Sequence, residues 1–380
     1  MEDFVAKPLH ETVKYCYVHT ELQLNGTDIA IPYVIGAPGG GKSSVIDQYF
    51  RSMGYDILCV HFAFTPIEEI SGLPQFIKVK YNNQEIEGTR WTLPDLVTLT
   101  YDYAGKCEKL LLFMDDFHLC SPAHMEYGYQ LFTNKSIRNY KLPDNTAIIL
   151  AGNYGQKAGA KSIFSGISNR IAFYPVYMDF QYWVVNFANE NVHPDIISFL
   201  SESSYSKHFH QEERVDEPWA SPRAWTRFSS ILTTIEKLVK VNYSDLLYLA
   251  NAHVGREAAS DFVSYYKILR KLKISDIFDG KQSIVLPEDE LVYTFAIAST
   301  VEFLTRYTKA KPAKRDSIVK TYCAILTKVY EKSKESCLAM IRDIVIKSNE
   351  SKVIEQAYHK IRSSIPPEIS SDISKMIMKL

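Results

Sequence analysis

The sequence predicts an α/β fold: a doubly wound parallel sheet with helices on both faces, then a long remainder that is helical. Three observations carry this. Short apolar, β-branched runs alternate with helical stretches as far as about residue 177, the pattern of strand-helix-strand units. From about residue 178 helical periodicity continues without such runs. A glycine-rich turn, Gly36 to Ser43, joins the first apolar run to a helix, and doubly wound sheets gather ligands at the carboxyl ends of their strands.

That turn reads Gly36-Ala-Pro-Gly-Gly-Gly-Lys42-Ser43 and fits G-x-x-x-x-G-K-[ST], the phosphate-binding P-loop. Ile29 to Ile35 leads in as a strand and Ser43 to Phe50 leads out as a helix. Backbone N–H groups of such a loop converge on a triphosphate, and the helix N-terminus adds partial positive charge. Gly39, Gly40 and Gly41 leave no side chains in the way. The expected nucleotide contacts are Gly36, Pro38, Gly39, Gly40, Gly41, Lys42, Ser43 and Ser44. Lys42 would reach the β- and γ-phosphates of ATP, and Ser43 would hold Mg²⁺. The competing reading is a plain glycine-rich turn.

The other elements follow in order. Residues 1 to 28 precede the first core strand, with a short helix expected over Pro8 to Thr20. Asp56 to Phe64 reads as a buried parallel strand bounded by Gly54 and Pro66. Phe76 to Tyr81 and Gln84 to Trp91 alternate about Asn82-Asn83, a hairpin inserted at about 76–91. Leu93 to Lys106 is helical, and Leu110 to Asp116 is a third strand. Ser121 caps a helix expected to reach about Tyr140. Thr146 to Asn153 and Arg170 to Val176 are the fourth and fifth strands. Beyond them, Gln181–Asn189, His193–Ser201, Arg223–Leu238, Ser244–His253 and Glu257–Leu272 read as helices. Lys207 to Arg214 reads as a solvated polar loop. A linker near Pro287 opens a third, helical part that runs to Leu380 and breaks at Lys309 to Arg315. The expected domains are therefore 1–177, 178–284 and 285–380.

Four further signals point to the phosphate. The apolar strand Leu110 to Met114 delivers Asp115 and Asp116 at its end, a Walker B pattern: Asp115 would order the Mg²⁺ shell and Asp116 would polarise the attacking water. Asn153 ends the next strand, where its amide would fix water and γ-phosphate; a plain turn before Tyr154-Gly155 is the alternative. Arg170 would complete a neighbouring subunit's site, or is a surface arginine at a strand start. Arg223 follows Ser221 and Pro222 in the first turn of a helix, where a cation opposes the helix dipole and makes sense against phosphate.

The order of P-loop, Asp115-Asp116, Asn153, Arg170 and Ser-Pro-Arg223 resembles the AAA+ ATPases, with Asn153 as sensor 1, Arg170 as arginine finger and Arg223 as sensor 2 on a helical lid. Phe64 to Pro74, Tyr140 to Asn153 and Trp219 to Ala224 resemble the MoxR branch, and the resemblance covers roughly residues 30 to 270. It implies an Mg²⁺-dependent ATPase in an oligomeric ring, usually a hexamer, with active sites shared between subunits. It also implies a protein client, often with a von Willebrand factor A-type partner. The family usually has Glu where this chain has Asp116, which implies slower hydrolysis.

Totals narrow the alternatives. Apolar residues make up 46% of the chain, with 25 Tyr and 19 Phe, enough for large cores. A formal net charge of −1 counts against a general polyanion binder. Six scattered cysteines without a C-x-x-C pair suggest a reducing compartment. The opening residues lack a secretory pattern and no run is long enough to cross a bilayer, so a cytoplasmic protein is expected. His208-Phe-His210 has no ligand set around it, and His118 is a packed turn residue or a pocket-rim residue. Lys309, Lys311, Lys314 and Arg315 read as a charged linker, and the inserted hairpin is a candidate substrate contact. Two other functions stay open: a DNA-handling ATPase, such as a helicase loader or viral genome motor, and a nucleotide-gated scaffold with slow turnover.

Overall fold

The computed structural model describes residues 5–153, 165–202, 204–211, 216–238, 242–349 and 351–377 of the 380-residue chain. The Tyr154-Gly155 turn, the end of the 207–214 loop and the last three residues lie outside that range. Two compact units form, Met1–Asp179 and Phe180–Leu380.

The first unit has the fold class that the sequence predicts. Its strands are β1 (Lys7–Pro8), β2 (Ile31–Gly36), β3 (Asp56–Val60), β4 (Pro74–Tyr81), β5 (Gln84–Trp91), β6 (Leu110–Met114), β7 (Ser136–Ile137), β8 (Tyr140–Lys141), β9 (Thr146–Gly152) and β10 (Ile171–Tyr177). Six of them form one sheet in the order β1-β10-β2-β9-β6-β3, and every pairing is parallel. Strands β2, β6 and β9 are buried along their whole length, which is why they read as unbroken apolar runs. On one face Tyr33, Leu112, Met114, Ile148 and Leu150 join a core with Phe117, Leu131 and Phe132. Helix α1 (Leu9–Leu24), the short helix expected before the sheet, packs against β9 and runs four residues past Thr20.

One buried side chain completes the sheet. Strand β2 pairs with β9 only from Leu150 onward, so the first half of β9 lacks a neighbour on that edge. The Gln23 amide fills the gap: its Oε1 accepts from Ile148 N at 2.8 Å and its Nε2 donates to Ile148 O at 3.0 Å. Buried backbone groups must find partners, and a primary amide offers one donor and one acceptor in the geometry of a strand.

The inserted hairpin forms as read. β4 and β5 pair antiparallel from Pro74↔Trp91 to Tyr81↔Gln84. Asn82 and Asn83 take φ of 49° and 61°, the positive values that a two-residue hairpin turn needs and that asparagine tolerates. Its root is held by Arg138, whose guanidinium lies 3.5 Å from the Trp91 ring centroid and donates to Ser71 O and Tyr127 Oη.

Two boundaries differ from the sequence reading. The strand expected over Asp56–Phe64 stops at Val60, where its pairing with Met114 ends; Phe62–Phe64 turns into a 3-10 helix that buries Phe62 against Phe117. The helix expected to reach Tyr140 is Pro122–Asn134. Lys135 ends it at φ 48°, and its Nζ donates to Gln23 O and Thr146 O. A lysine in the left-handed region carries none of the glycine signal that marks a helix stop.

In the second unit the helices fall close to the expected positions, among them Pro194–Ser201, Pro222–Leu238, Tyr243–Val254 and Arg256–Leu272. The expected Gln181–Asn189 helix is interrupted by a π turn at Val184–Ala188. Val292–Lys309 buries every residue from Thr294 to Val301, the mark of a helix surrounded on all sides, and it packs on Pro194–Ser201 and on Pro312–Lys332. The loop reading of His208 is corrected. His208 is fully buried, stacks on Phe199, pairs through Nε2 with Asp261 at 2.8 Å, and its carbonyl accepts from Trp225 Nε1. Among the described residues no helix is long and apolar enough to cross a membrane.

Replacing Gln23 by Leu should lower stability by about 2–6 kcal/mol, since two buried backbone groups each lose a partner worth ~1–3 kcal/mol. Urea unfolding measures it; an unchanged midpoint would mean that Ile148 finds other partners.

Candidate nucleotide site

The site is built where three neighbouring strands of the sheet end. β2 closes on Gly36, and the chain turns through residues 37–41 into helix α2 (Lys42–Ser52). Gly36 lies beside Val176 of β10, and an added Cβ would stand 2.7 Å from Val176 O, so only glycine fits. Gly39 and Gly41 have φ of 76° and 79°, which turns the loop back over the helix start. Among the described residues no side chain caps α2, which leaves its first N–H groups without a side-chain acceptor, as at an anion site.

Lys42 is 8% exposed, and its ammonium donates to Gly36 O at 2.9 Å, Ala37 O at 3.0 Å and Asn153 Oδ1 at 2.7 Å. Ser43 Oγ donates to Asp115 Oδ2 at 2.5 Å. The other oxygen of Asp115 accepts from Asp116 N at 2.9 Å, and Asp115 N donates to Val60 O, so the carboxylate is held from both sides. A hydroxyl and a carboxylate side by side are the hard oxygen donors that Mg²⁺ takes. The P-loop, the end of β6 and the end of β9 thus converge through Lys42, Ser43, Asp115 and Asn153, although 72 and 111 positions separate the paired residues.

Asn153 reaches the loop because of what precedes it. An added Cβ on Gly152 would sit 2.2 Å from Tyr33 Oη, so the Tyr33 ring occupies the room a side chain would need. Neither Gly152 nor Tyr33 stands out in the sequence, since no motif spans two strands. Asp116 takes φ 54° in the turn after β6, with Oδ2 3.6 Å from His61 Nδ1. His61 was not singled out by sequence reasoning. His118, two positions further on, is 3% exposed and packs under the site, with Nε2 3.3 Å from Asn153 Nδ2.

Within the first unit, Arg170 is not part of this cluster. Arg170 precedes β10, and its carbonyl accepts from Ile31 N at the start of β2. The P-loop leaves the other end of that six-residue strand, which spans roughly 20 Å at ~3.3 Å per residue. Its guanidinium lies on the Tyr129 ring, 4.2 Å from the centroid, and donates to Thr133 Oγ1, Tyr129 Oη and Gly166 O. Arg223 is exposed in the first turn of Pro222–Leu238 in the second unit, where Ser221 Oγ accepts from Ala224 N. Among the described residues that unit also holds two groups of possible metal ligands, His193-Asp195-Glu236 and His208-Glu257-Asp261. In the first, Arg270 already contacts Asp195 and Glu236; in the second, Lys207 contacts Glu257.

No family model and no curated protein matches the chain. Among solved structures it is similar to the RuvB Holliday junction branch migration motor of Thermotoga maritima, at 12% identity over 87% of this chain and 86% of that one, TM-score 0.34. A point mutant of the same RuvB gives 12% identity over 88% and 91%, TM-score 0.35. A Drosophila ORC chain, from ORC bound to AT-rich DNA and Cdc6, gives 10% identity over 94% and 70%, TM-score 0.37. Scores this low carry no step beyond the likeness itself, and the fold stands on its own sheet order and P-loop.

Proposed function

We propose that the chain is an Mg²⁺-dependent ATPase of AAA+ type, in the MoxR branch, that works as a ring and uses hydrolysis to remodel a protein assembly. The observation that carries it is the pair of contacts Ser43 Oγ to Asp115 Oδ2 and Lys42 Nζ to Asn153 Oδ1. Four polar groups, two from the start of α2 and one each from the ends of β6 and β9, meet at one glycine turn, and a triphosphate accounts for all of them. The MoxR assignment and the protein client rest on the resemblance at Phe64 to Pro74, Tyr140 to Asn153 and Trp219 to Ala224. So do a hexameric ring and a von Willebrand factor A-type partner.

In this reading the loop N–H groups of residues 39–43 bind the phosphates and Lys42 turns its ammonium to the β- and γ-oxygens. Ser43 and Asp115 would hold Mg²⁺, which when bound neutralises charge between those phosphates. Asp116 draws the proton from the attacking water and Asn153 orients that water. Arg223 bears on the nucleotide as sensor 2. Arg170, a strand's length from its own P-loop, serves the site of the next subunit, where its charge stabilises the transition state.

The test of the shared site is a mixing experiment. Arg170→Ala should bind ATP nearly as the parent does and release no phosphate, and Asp115→Asn should also be inactive. Mixed, the two should regain activity that neither has alone, because some sites then combine an intact Asp115 with a neighbour's Arg170. Activity of Arg170→Ala alone at the parent rate would defeat the model.

Slow turnover is a second reading, favoured by Asp116: its side chain is one methylene shorter than Glu, and it faces His61 across 3.6 Å. If reach limits hydrolysis, Asp116→Glu should raise kcat several-fold at unchanged ATP affinity. An equal or lower kcat argues that Asp116 is already in place.

A further inference from the structure

His118 is buried beneath the nucleotide site and has no part in the scheme above. Its surroundings fix its protonation. The Lys42 ammonium carries donors only, so the atom of Asn153 at 2.7 Å from it must be the amide oxygen. The amide nitrogen then points at His118 Nε2, 3.3 Å away, and an NH₂ group donates, so Nε2 must offer its lone pair. The imidazole is therefore neutral, with its proton on Nδ1. Burial, with Lys42 nearby, lowers the His118 pKa and favours the neutral form, against the opposing pull of Asp116 and Asp115. Nδ1 itself is buried with no hydrogen-bond partner among the described residues. A ring free to choose would not bury an unpaired N–H, a loss of a kind that costs ~1–3 kcal/mol. Among the described residues, the hydrogen bond that compensates is the one to Asn153.

We propose that His118 is a positioning residue that fixes the orientation of the Asn153 amide. An asparagine side chain fits its space equally well in two orientations with oxygen and nitrogen exchanged. Lys42 selects one of them only while it contacts Oδ1. On the ATPase reading, on which this inference rests, Lys42 turns towards phosphate and that selection is lost. His118 then holds Nδ2 alone, and Oδ1 stays turned to the phosphate loop. An oxygen there accepts a hydrogen bond from water and repels a phosphate oxygen, so Asn153 orients the nucleophile and does not compete with Lys42 for the γ-phosphate.

The experiment uses the full chain with His118→Leu, His118→Gln, Asn153→Ala and the double variant His118→Leu/Asn153→Ala. Steady-state ATP hydrolysis gives kcat and KM, and urea unfolding gives stability. His118→Leu should lower kcat about tenfold, one hydrogen bond's worth, with KM within about twofold of the parent. His118→Gln, whose Oε1 replaces the Nε2 lone pair, should recover most of that loss. The double variant should be no slower than Asn153→Ala. Parent kcat in His118→Leu, no rescue by Gln, or multiplying defects would overturn the proposal. Should the parent chain release no phosphate at all, the ATPase reading fails, and the unfolding cycle still decides the contact. Coupled losses of stability support it, and additive losses overturn it.

Discussion

A buried ammonium organises this molecule. Lys42 is 8% exposed, and removing a charge from water without partners costs several kcal/mol. Its contacts come from the end of β2, from the loop and from the end of β9. The adjacency of β2 and β9 in the sheet is thus a condition for holding Lys42 in place. Since β9 also borders β6, the same order brings Asp115 to Ser43. A sheet with these strands in another order would still bury its apolar runs, yet it would leave the lysine without Asn153 and the serine without its carboxylate.

That order is itself maintained by small fittings. Gln23 satisfies the unpaired half of β9, and Gly152 leaves space for Tyr33 immediately before Asn153. Both act on the strand that carries the site's amide, so a change at either would be felt through Asn153 and not through the glycine loop directly. The amide is further referred to His118, so the site's geometry is set from beneath the sheet's edge as much as from the loop.

The strands and the P-loop were legible because their signals are local: unbroken apolar runs, an Asn-Asn turn, a glycine string before Lys-Ser. The strand ends were less so. Whether β3 stops at Val60 depends on where β6 ends, more than fifty positions away in the chain, and no local residue announces it. Lys135 ends a helix in a conformation that its side chain disfavours, because its ammonium finds two carbonyls there. His208 looked solvated because its neighbours in sequence are polar; its neighbours in space are Phe199 and Trp225, supplied by two other helices. In the site, Asp115 and Asn153 were readable as polar ends of apolar strands. His61 and Gly152 were not, since each matters only through a residue on another strand.

Asp116 shows a conflict between backbone and chemistry. The chain must turn sharply after β6 to send Phe117 into the core, and it does so with φ 54° at Asp116. Aspartate tolerates that region better than most residues because its short carboxylate can bond to nearby backbone. Glutamate has the longer reach towards a water molecule but a less comfortable backbone at this angle. The residue found here therefore favours the turn over the reach. Because the turn holds the Asp115 carboxylate through Asp116 N, any gain in reach must be weighed against the steadiness of the oxygen beside Ser43.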